Sequence, residues 1–195
     1  MEVRPTALAG VMTFHPRRTH RDERGLFART FDASVAAEHD IVFGALTQDS
    51  QSRSAPGVLR GLHGRRGKGE SKLVRVAVGA ILDVVVDARP DSPTFGQHIE
   101  LVLDDEDFTS VFIPAGFLHG FQVISETPAD VAYRIDTPHR PTDDVTVRYD
   151  DPDLAIAWRP GSPILSPRDA AAGSWAELVA ATHATRSSAL STPAP

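Results

Sequence analysis

Two histidines stand at matching places in the chain, in Gly57-Val-Leu-Arg-Gly-Leu-His63 and in Pro114-Ala-Gly116-Phe-Leu-His119. Each is read as closing a glycine-punctuated turn between strand-like runs. In a β-barrel, two such segments aim both imidazoles into one cavity. An imidazole titrates near neutral pH and both gives and takes protons. Lys72 and Tyr133 follow the two histidines in the chain and add an ammonium and a phenol. Together the four make a set able to move protons on and off carbon.

Short β-rich runs must carry these residues. Fifteen prolines and fourteen glycines punctuate the chain, the pattern of a sandwich or barrel rather than a helical bundle. Lys72–Val78 and Ala80–Asp87 are rich in β-branched residues and meet at Gly79-Ala80. Ile99–Leu103 alternates apolar and polar residues as a half-buried strand does. Ser110–Ile113, Gly120–Ile124, Val131–Ile135 and Val145–Tyr149 read as further strands. Turns are expected at Arg89-Pro90-Asp91-Ser92-Pro93, at Asp104-Asp105-Glu106-Asp107 and at Thr137-Pro138, where proline and aspartate favour chain reversal. Helix is scarce: Ser34–His39 makes a short one, and Ser174 caps another from Trp175 to about Thr182. The expected organisation is one all-β jelly-roll domain over residues 1–186 with a few short peripheral helices. Residues 187–195 are small, polar and proline-rich and are expected to be a disordered tail.

Composition narrows the function classes. A chain of 195 residues supports one sizeable core, because folding at this size buries roughly 70% of the unfolded surface. A formal net charge of -6 gives no support to binding nucleic acid or an anionic membrane. Anionic small molecules stay open, because the 20 lysines and arginines can cluster locally. The absence of cysteine removes disulfides, thiolate metal sites and cysteine nucleophiles. No apolar run approaches the roughly 18 residues of a membrane span, and no signal-like N-terminus is apparent. A cytoplasmic location is the expectation.

A jelly roll with a histidine in each of two such segments resembles a cupin. Gly57, His63 and Glu70 fit the first cupin motif, although Arg65 stands where a second histidine belongs. Pro114, Gly116 and His119 fit the second without a gap. A guanidinium cannot ligate a metal and repels a cation. His63, Glu70 and His119 nevertheless leave a metal-dependent cupin, such as a dioxygenase, as an alternative. The plainest reading treats both histidines as satisfied core residues.

The chain more specifically resembles the dTDP-4-dehydrorhamnose 3,5-epimerase family of metal-free cupins. The resemblance runs from about Arg17 to Ala172 through several dense motifs. They include Asp22-Glu-Arg-Gly-Leu-Phe27, Gln48-Asp49, Lys72-Leu-Val-Arg-Val76, Asp83-Val-Val-Val-Asp-Ala-Arg89 and Ser92-Pro-Thr-Phe-Gly96. Ile113-Pro-Ala-Gly-Phe-Leu-His-Gly-Phe121, Asp150-Asp-Pro-Asp-Leu154 and Leu165-Ser-Pro-Arg-Asp169 continue it. The family's substrate is a nucleotide-linked 4-keto-6-deoxyhexose whose C3 and C5 protons are acidified by the ketone. By resemblance His63 is the base and Asp169 steadies its imidazole. Lys72 stabilises the enolate oxygen, and Tyr133 returns a proton from the opposite face. Arg24, Arg60 and Gln48 are expected on the nucleotide, Phe27 on its base, and His119 near sugar and phosphates. No cofactor is implied. The resemblance also implies a homodimer in which the N-terminal segment carrying Arg24 and Phe27 packs onto the other subunit.

The chain departs from that pattern at several points. His139 occupies the place of a second pocket tyrosine, and Pro138 precedes it. Arg29 replaces a glutamate, Ser50 an asparagine, and Gly64-Arg65 a Phe-Gln or Tyr-Gln pair. The spacing from His63 to Lys72 is one residue shorter than the family pattern. These differences point to a related dehydro-deoxysugar nucleotide, inverted at one or both of C3 and C5. A non-catalytic sugar-nucleotide-binding cupin is the third reading.

Overall fold

The computed structural model describes the backbone of residues 1–190 and the side chains of residues 1–184. The N-terminal part supplies β1 (Glu2–Pro5), β2 (Met12–His15), β3 (Thr19–Asp22), β4 (Gly25–Ala28) and helix α1 (Ala33–Ala37). The central part supplies β5 (Gln48–Ser54), β6 (Leu59–Arg65), β7 (Lys72–Val78), β8 (Ala80–Asp87) and β9 (His98–Asp104). Then come β10 (Ser110–Ile113), β11 (Phe117–Val123), β12 (Ala129–Ile135) and β13 (Asp144–Thr146), and finally α2 (Pro167–Ala170) and α3 (Trp175–Leu190).

Eleven of the strands form two sheets, in the orders β1-β2-β10-β7-β12-β5 and β13-β6-β11-β8-β9. Strands β3 and β4 form a separate hairpin. Val74, Val76, Val111 and Val131 of the first sheet pack against Ile81, Val85, Phe117 and Phe121 of the second. Each fully buried aliphatic side chain contributes roughly 1.5–3 kcal/mol, so this shared core is the main force closing the sandwich. Strand β8 lies inside its sheet and is buried on both faces. Ile81 and Val85 point to the shared core, and Leu82, Val84 and Val86 point outward against Val147, Leu154 and Trp175. That double burial explains why its sequence is a near-continuous apolar run rather than an alternation. On the far face of the six-stranded sheet, Ala36 of α1 packs with Phe14, Leu73 and Phe112.

The result is the all-β jelly-roll sandwich expected from the sequence. Strands β7, β8 and β10 have the limits read from the residues. Strand β9 is longer by one residue at each end, and β13 stops at Thr146, leaving Val147 in an isolated bridge to Gly173. The sequence carries no strand signal at β5. Its sequence Gln-Asp-Ser-Gln-Ser-Arg-Ser is polar because it is an edge strand, paired only with β12, and most of it faces solvent. The reading of His63 and His119 as turn-closing residues is corrected: both lie within strands, β6 and β11. Glycine content suggested turns there, whereas the glycines allow two strands to approach. A Cβ on Gly61, whose φ is +125°, would lie 2.6 Å from Gly120 Cα and 2.9 Å from the His119 carbonyl oxygen. Helix α3 starts behind Ser174, which exchanges capping hydrogen bonds with Glu177, and runs to Leu190. The start of the expected tail therefore overlaps this helix, and residues 191–195 lie outside the described residues. No described helix is long and apolar enough to cross a membrane.

Candidate active site

Strands β6 and β11 pair antiparallel with His63 directly opposite His119. Directly opposed residues project from the same face of a sheet, and Phe117 and Phe121, on the same alternation as His119, lie in the core between the sheets. From the facing sheet, β7 contributes Lys72 and β12 contributes Tyr133. These residues line a cavity of about 380 Å³, with Arg60 and His139 also on its wall.

His63 is held from behind. Asp169 lies in the first turn of α2, which Ser166 caps by accepting a hydrogen bond from the Asp169 amide at 3.1 Å. Its carboxylate Oδ1 is 2.6 Å from His63 Nε2. The carboxylate is 3% exposed and the imidazole 37%, so the pair has a sealed end and an open one. An ionised carboxylate accepts the Nε2 proton, which leaves Nδ1 as the basic nitrogen. Burial lowers the His63 pKa below 6.5, Asp169 opposes that, and Lys72 and Arg168 reinforce it. The net shift favours a neutral imidazole at pH 7, the state a base requires.

Tyr133 has the opposite disposition. Its hydroxyl lies 3.1 Å from Ser52 Oγ on β5. Burial raises its pKa to about 12, with the Ser52 hydrogen bond opposing the rise and Asp83 adding to it. The phenol is therefore a protonated donor at neutral pH. Lys72 is buried, with Nζ 3.3 Å from Glu70 Oε1. An ammonium at a largely desolvated wall is a preorganised charge for an oxyanion.

His119 belongs to a second histidine–carboxylate pair, with Nε2 at 2.7 Å from Asp83 Oδ2. Both partners are buried, at 5% and 0% exposure. Arg60 donates from Nε to Ser54 Oγ at 2.9 Å. His139 sits after β12 with Nε2 at 3.1 Å from Asp144 Oδ2, which also accepts from Arg168 at 3.0 Å.

Of the residues expected at the site, the structure gathers His63, Lys72, Tyr133, Arg60, His119 and His139 around one cavity, with Asp169 behind His63. It does not bring Arg24, Phe27 or Gln48 to that lining. Arg24 and Phe27 lie on the β3–β4 hairpin, Arg24 paired with Asp22 and Phe27 69% exposed. Gln48 opens β5, on the same alternation as the cavity residues Ser50 and Ser52 but outside the lining. The metal alternative loses its ligand set: Glu70 is held between Arg65 and Lys72. Among the described residues, no group of three His, Asp or Glu side chains is placed to hold a metal ion. Sequence reasoning missed Asp83 and Ser52. Asp83 carried a signal, since a carboxylate inside the apolar run Ile81–Val86 demands a buried partner. Ser52 carried none.

With this geometry in view, the chain matches the family model described as dTDP-4-dehydrorhamnose 3,5-epimerase over residues 5–177. It is 40% identical over 153 residues to the dTDP-4-dehydrorhamnose 3,5-epimerase of Methanothermobacter thermautotrophicus, covering 78% of this chain and 81% of that one. It is 37% identical over 170 residues to the dTDP-4-dehydrorhamnose 3-epimerase of Streptomyces niveus, covering 87% and 81%. Among solved structures, a dTDP-6-deoxy-D-glucose-3,5-epimerase from Legionella pneumophila, in complex with dTDP-4-keto-L-rhamnose, superposes with a TM-score of 0.83. It shares 40% identity over 91% of this chain and 96% of that one.

Proposed function

The chain belongs to the dTDP-4-dehydrorhamnose 3,5-epimerase family, and from that premise we propose how its own residues carry out a sugar-nucleotide epimerisation. The substrate is a nucleotide-linked 4-keto-6-deoxyhexose, the class of molecule named in the Legionella complex. His63 Nδ1 takes the proton from a carbon next to the ketone. The C–H electron pair moves into the ring to form an enolate, whose negative charge rests on the C4 oxygen near Lys72. Tyr133 then gives its hydroxyl proton to the same carbon from the opposite face, and the configuration inverts. Imidazolium and phenolate return to their starting states by exchange with solvent. Asp169 stabilises the imidazolium formed midway without taking the proton itself. These residues by themselves require no metal or redox cofactor for the proton transfers. The observation that carries this reading is the His63–Asp169 pair at 2.6 Å, opening onto the cavity that Tyr133 and Lys72 also line.

Arg60 and His119 are assigned to the phosphate and sugar side of the cavity. Arg24 and Phe27 are assigned to the site of a second copy, because their hairpin is exposed and contributes nothing to the lining of their own cavity. Gln48 is assigned to the nucleotide at the cavity mouth. His139, standing in place of a second pocket tyrosine, changes the contacts around the sugar. The relative named a 3-epimerase supports a reaction at one carbon as a form this scaffold can take.

The test is deuterium incorporation from D₂O into dTDP-4-dehydro-6-deoxyglucose, followed by NMR. The wild-type enzyme is expected to label the sugar, and His63→Ala to abolish labelling while retaining nucleotide binding. A wild-type protein that binds the nucleotide sugar without exchange is a binding cupin, and the proposal then fails. Label at both C3 and C5 refutes a single-carbon reaction. Mixing Arg24→Ala with His63→Ala protein tests the exchanged hairpin: recovered activity supports it, and none at any ratio counts against it.

A further inference from the structure

One wall of the cavity is an ionic chain. Glu70 Oε1 is 3.3 Å from Lys72 Nζ, and Glu70 Oε2 is 2.9 Å from Arg65 Nε. All three side chains are nearly buried, at 8%, 12% and 9% exposure for Lys72, Glu70 and Arg65. The Arg65 contact lies off-line for a hydrogen bond, and Glu70 Oε2 has no hydrogen-bond partner, so charge alone holds that half of the carboxylate. Arg65 is itself anchored: it donates to the Pro138 carbonyl at 3.0 Å, and its Nε is 3.8 Å from Asp144. Asp144 in turn holds His139 and Arg168.

The arithmetic of the wall follows from these contacts. Were Glu70 paired with Lys72 alone, a buried carboxylate would cancel the ammonium and draw it away from the substrate. With Arg65 on the other oxygen, and Arg168 on the Asp144 that also faces Arg65, three cations meet two anions, and the wall keeps a net positive charge beside the ketone. The sharing also leaves no buried charge without a counter-charge, the condition for holding ions in a desolvated wall.

We propose that Arg65 and Glu70 are positioning residues for Lys72: Glu70 fixes the ammonium at the wall, and Arg65 offsets the carboxylate so that the lysine's charge acts on the enolate oxygen. The inference rests on Lys72 having the role assigned above. Its test uses the deuterium wash-in assay, with kcat and KM measured for Lys72→Met, Arg65→Gln, Glu70→Gln, the Arg65→Gln/Glu70→Gln double variant and Arg65→Lys. Arg65→Gln is expected to lower kcat by on the order of tenfold and to change KM by less than about threefold, the scale of coupling between contacting charges. Glu70→Gln has a comparable effect, because Lys72 and Arg65 are then like charges without a counter-ion. The double variant recovers part of the loss, since it removes both the unbalanced carboxylate and the like-charge pair, and the substituted amide oxygen still accepts from the Lys72 ammonium. Arg65→Lys also recovers most of it, since it restores the charge without the fork. A merely structural role for Arg65 gives no such recovery. Additive losses in the double variant, or an Arg65→Gln rate within about twofold of wild type, overturn the proposal. If Lys72→Met itself leaves kcat intact, the role of Lys72 has failed instead, and the two failures are distinguishable. Should Arg65→Gln prove unstable, Glu70→Gln and the double variant decide between coupling and additivity.

Discussion

Replacing Asp169 by asparagine keeps the shape of the His63 support and removes its charge. The carboxylate is 3% exposed and approaches Nε2 at 2.6 Å, while the imidazole's outer part reaches solvent. An effective dielectric of about 20 therefore applies, and unit charges about 4 Å apart then interact by about 4 kcal/mol. An asparagine oxygen retains a dipole and a hydrogen bond, so the loss at the imidazolium stage is about 3 kcal/mol, at the upper end for hydrogen bonds to charged groups. At about 1.4 kcal/mol per decade, kcat should fall on the order of a hundredfold. The pH profile supplies a second, independent sign. Asp169 raises the His63 pKa against the lowering by burial, so its removal lowers that pKa further. The rate rises as His63 loses its proton, so the acid limb of Asp169→Asn moves to lower pH even as the plateau drops. Deuterium wash-in across the acid range measures both, and near-ultraviolet circular dichroism checks that the fold survives. A plateau within about threefold of wild type, or an acid limb that moves to higher pH, would falsify the assignment of Asp169 as the partner that stabilises imidazolium.

Three further outcomes are expected. Tyr133→Phe should lower the rate of inversion by about 10²–10³, the range for losing a positioned general acid, while wild-type enzyme shows no downturn from this group near the ordinary tyrosine value of 10.0, because its pKa lies at about 12. A steady-state rate that ignores the phenyl substitution removes Tyr133 from the mechanism. Asp83→Ala should cost up to about 3 kcal/mol in urea unfolding, because it leaves the buried His119 without its hydrogen-bond partner, and pairing Asp83→Leu with His119→Phe should restore much of that stability; equal losses in the single and paired variants contradict the account of a buried pair. Gly61→Ala should destabilise the protein by more than about 3 kcal/mol, since the new Cβ falls 2.6 Å from Gly120 Cα; a urea midpoint close to wild type shows that β6 can shift where the packing says it cannot.

What the residues alone determined was local. The β-branched runs at β7, β8 and β10 announced strands whose limits hold, because a strand buried on both faces, or packed on one, leaves its burial pattern in the composition. The paired motifs marked His63 and His119 as belonging together, and the family resemblance, not the residues by themselves, implied Lys72, Tyr133 and Asp169 as the other members of the set. The sequence was silent wherever an element owed its state to a neighbour. Strand β5 is a strand because β12 pairs with it, and its polar side chains say nothing of that. Nothing in the sequence sets Gly61 and Gly120 apart until the close approach of β6 and β11 shows them to be the condition for His63 and His119 to stand opposite one another. Arg65 and Glu70 read as a broken metal motif, and only three-dimensional proximity turns them into partners of Lys72. Charge at these sites is likewise a tertiary property. A carboxylate that follows His63 by 106 positions reaches Nε2 only because α2 folds back onto β6, and burial, which no residue specifies by itself, sets which groups take protons and which give them.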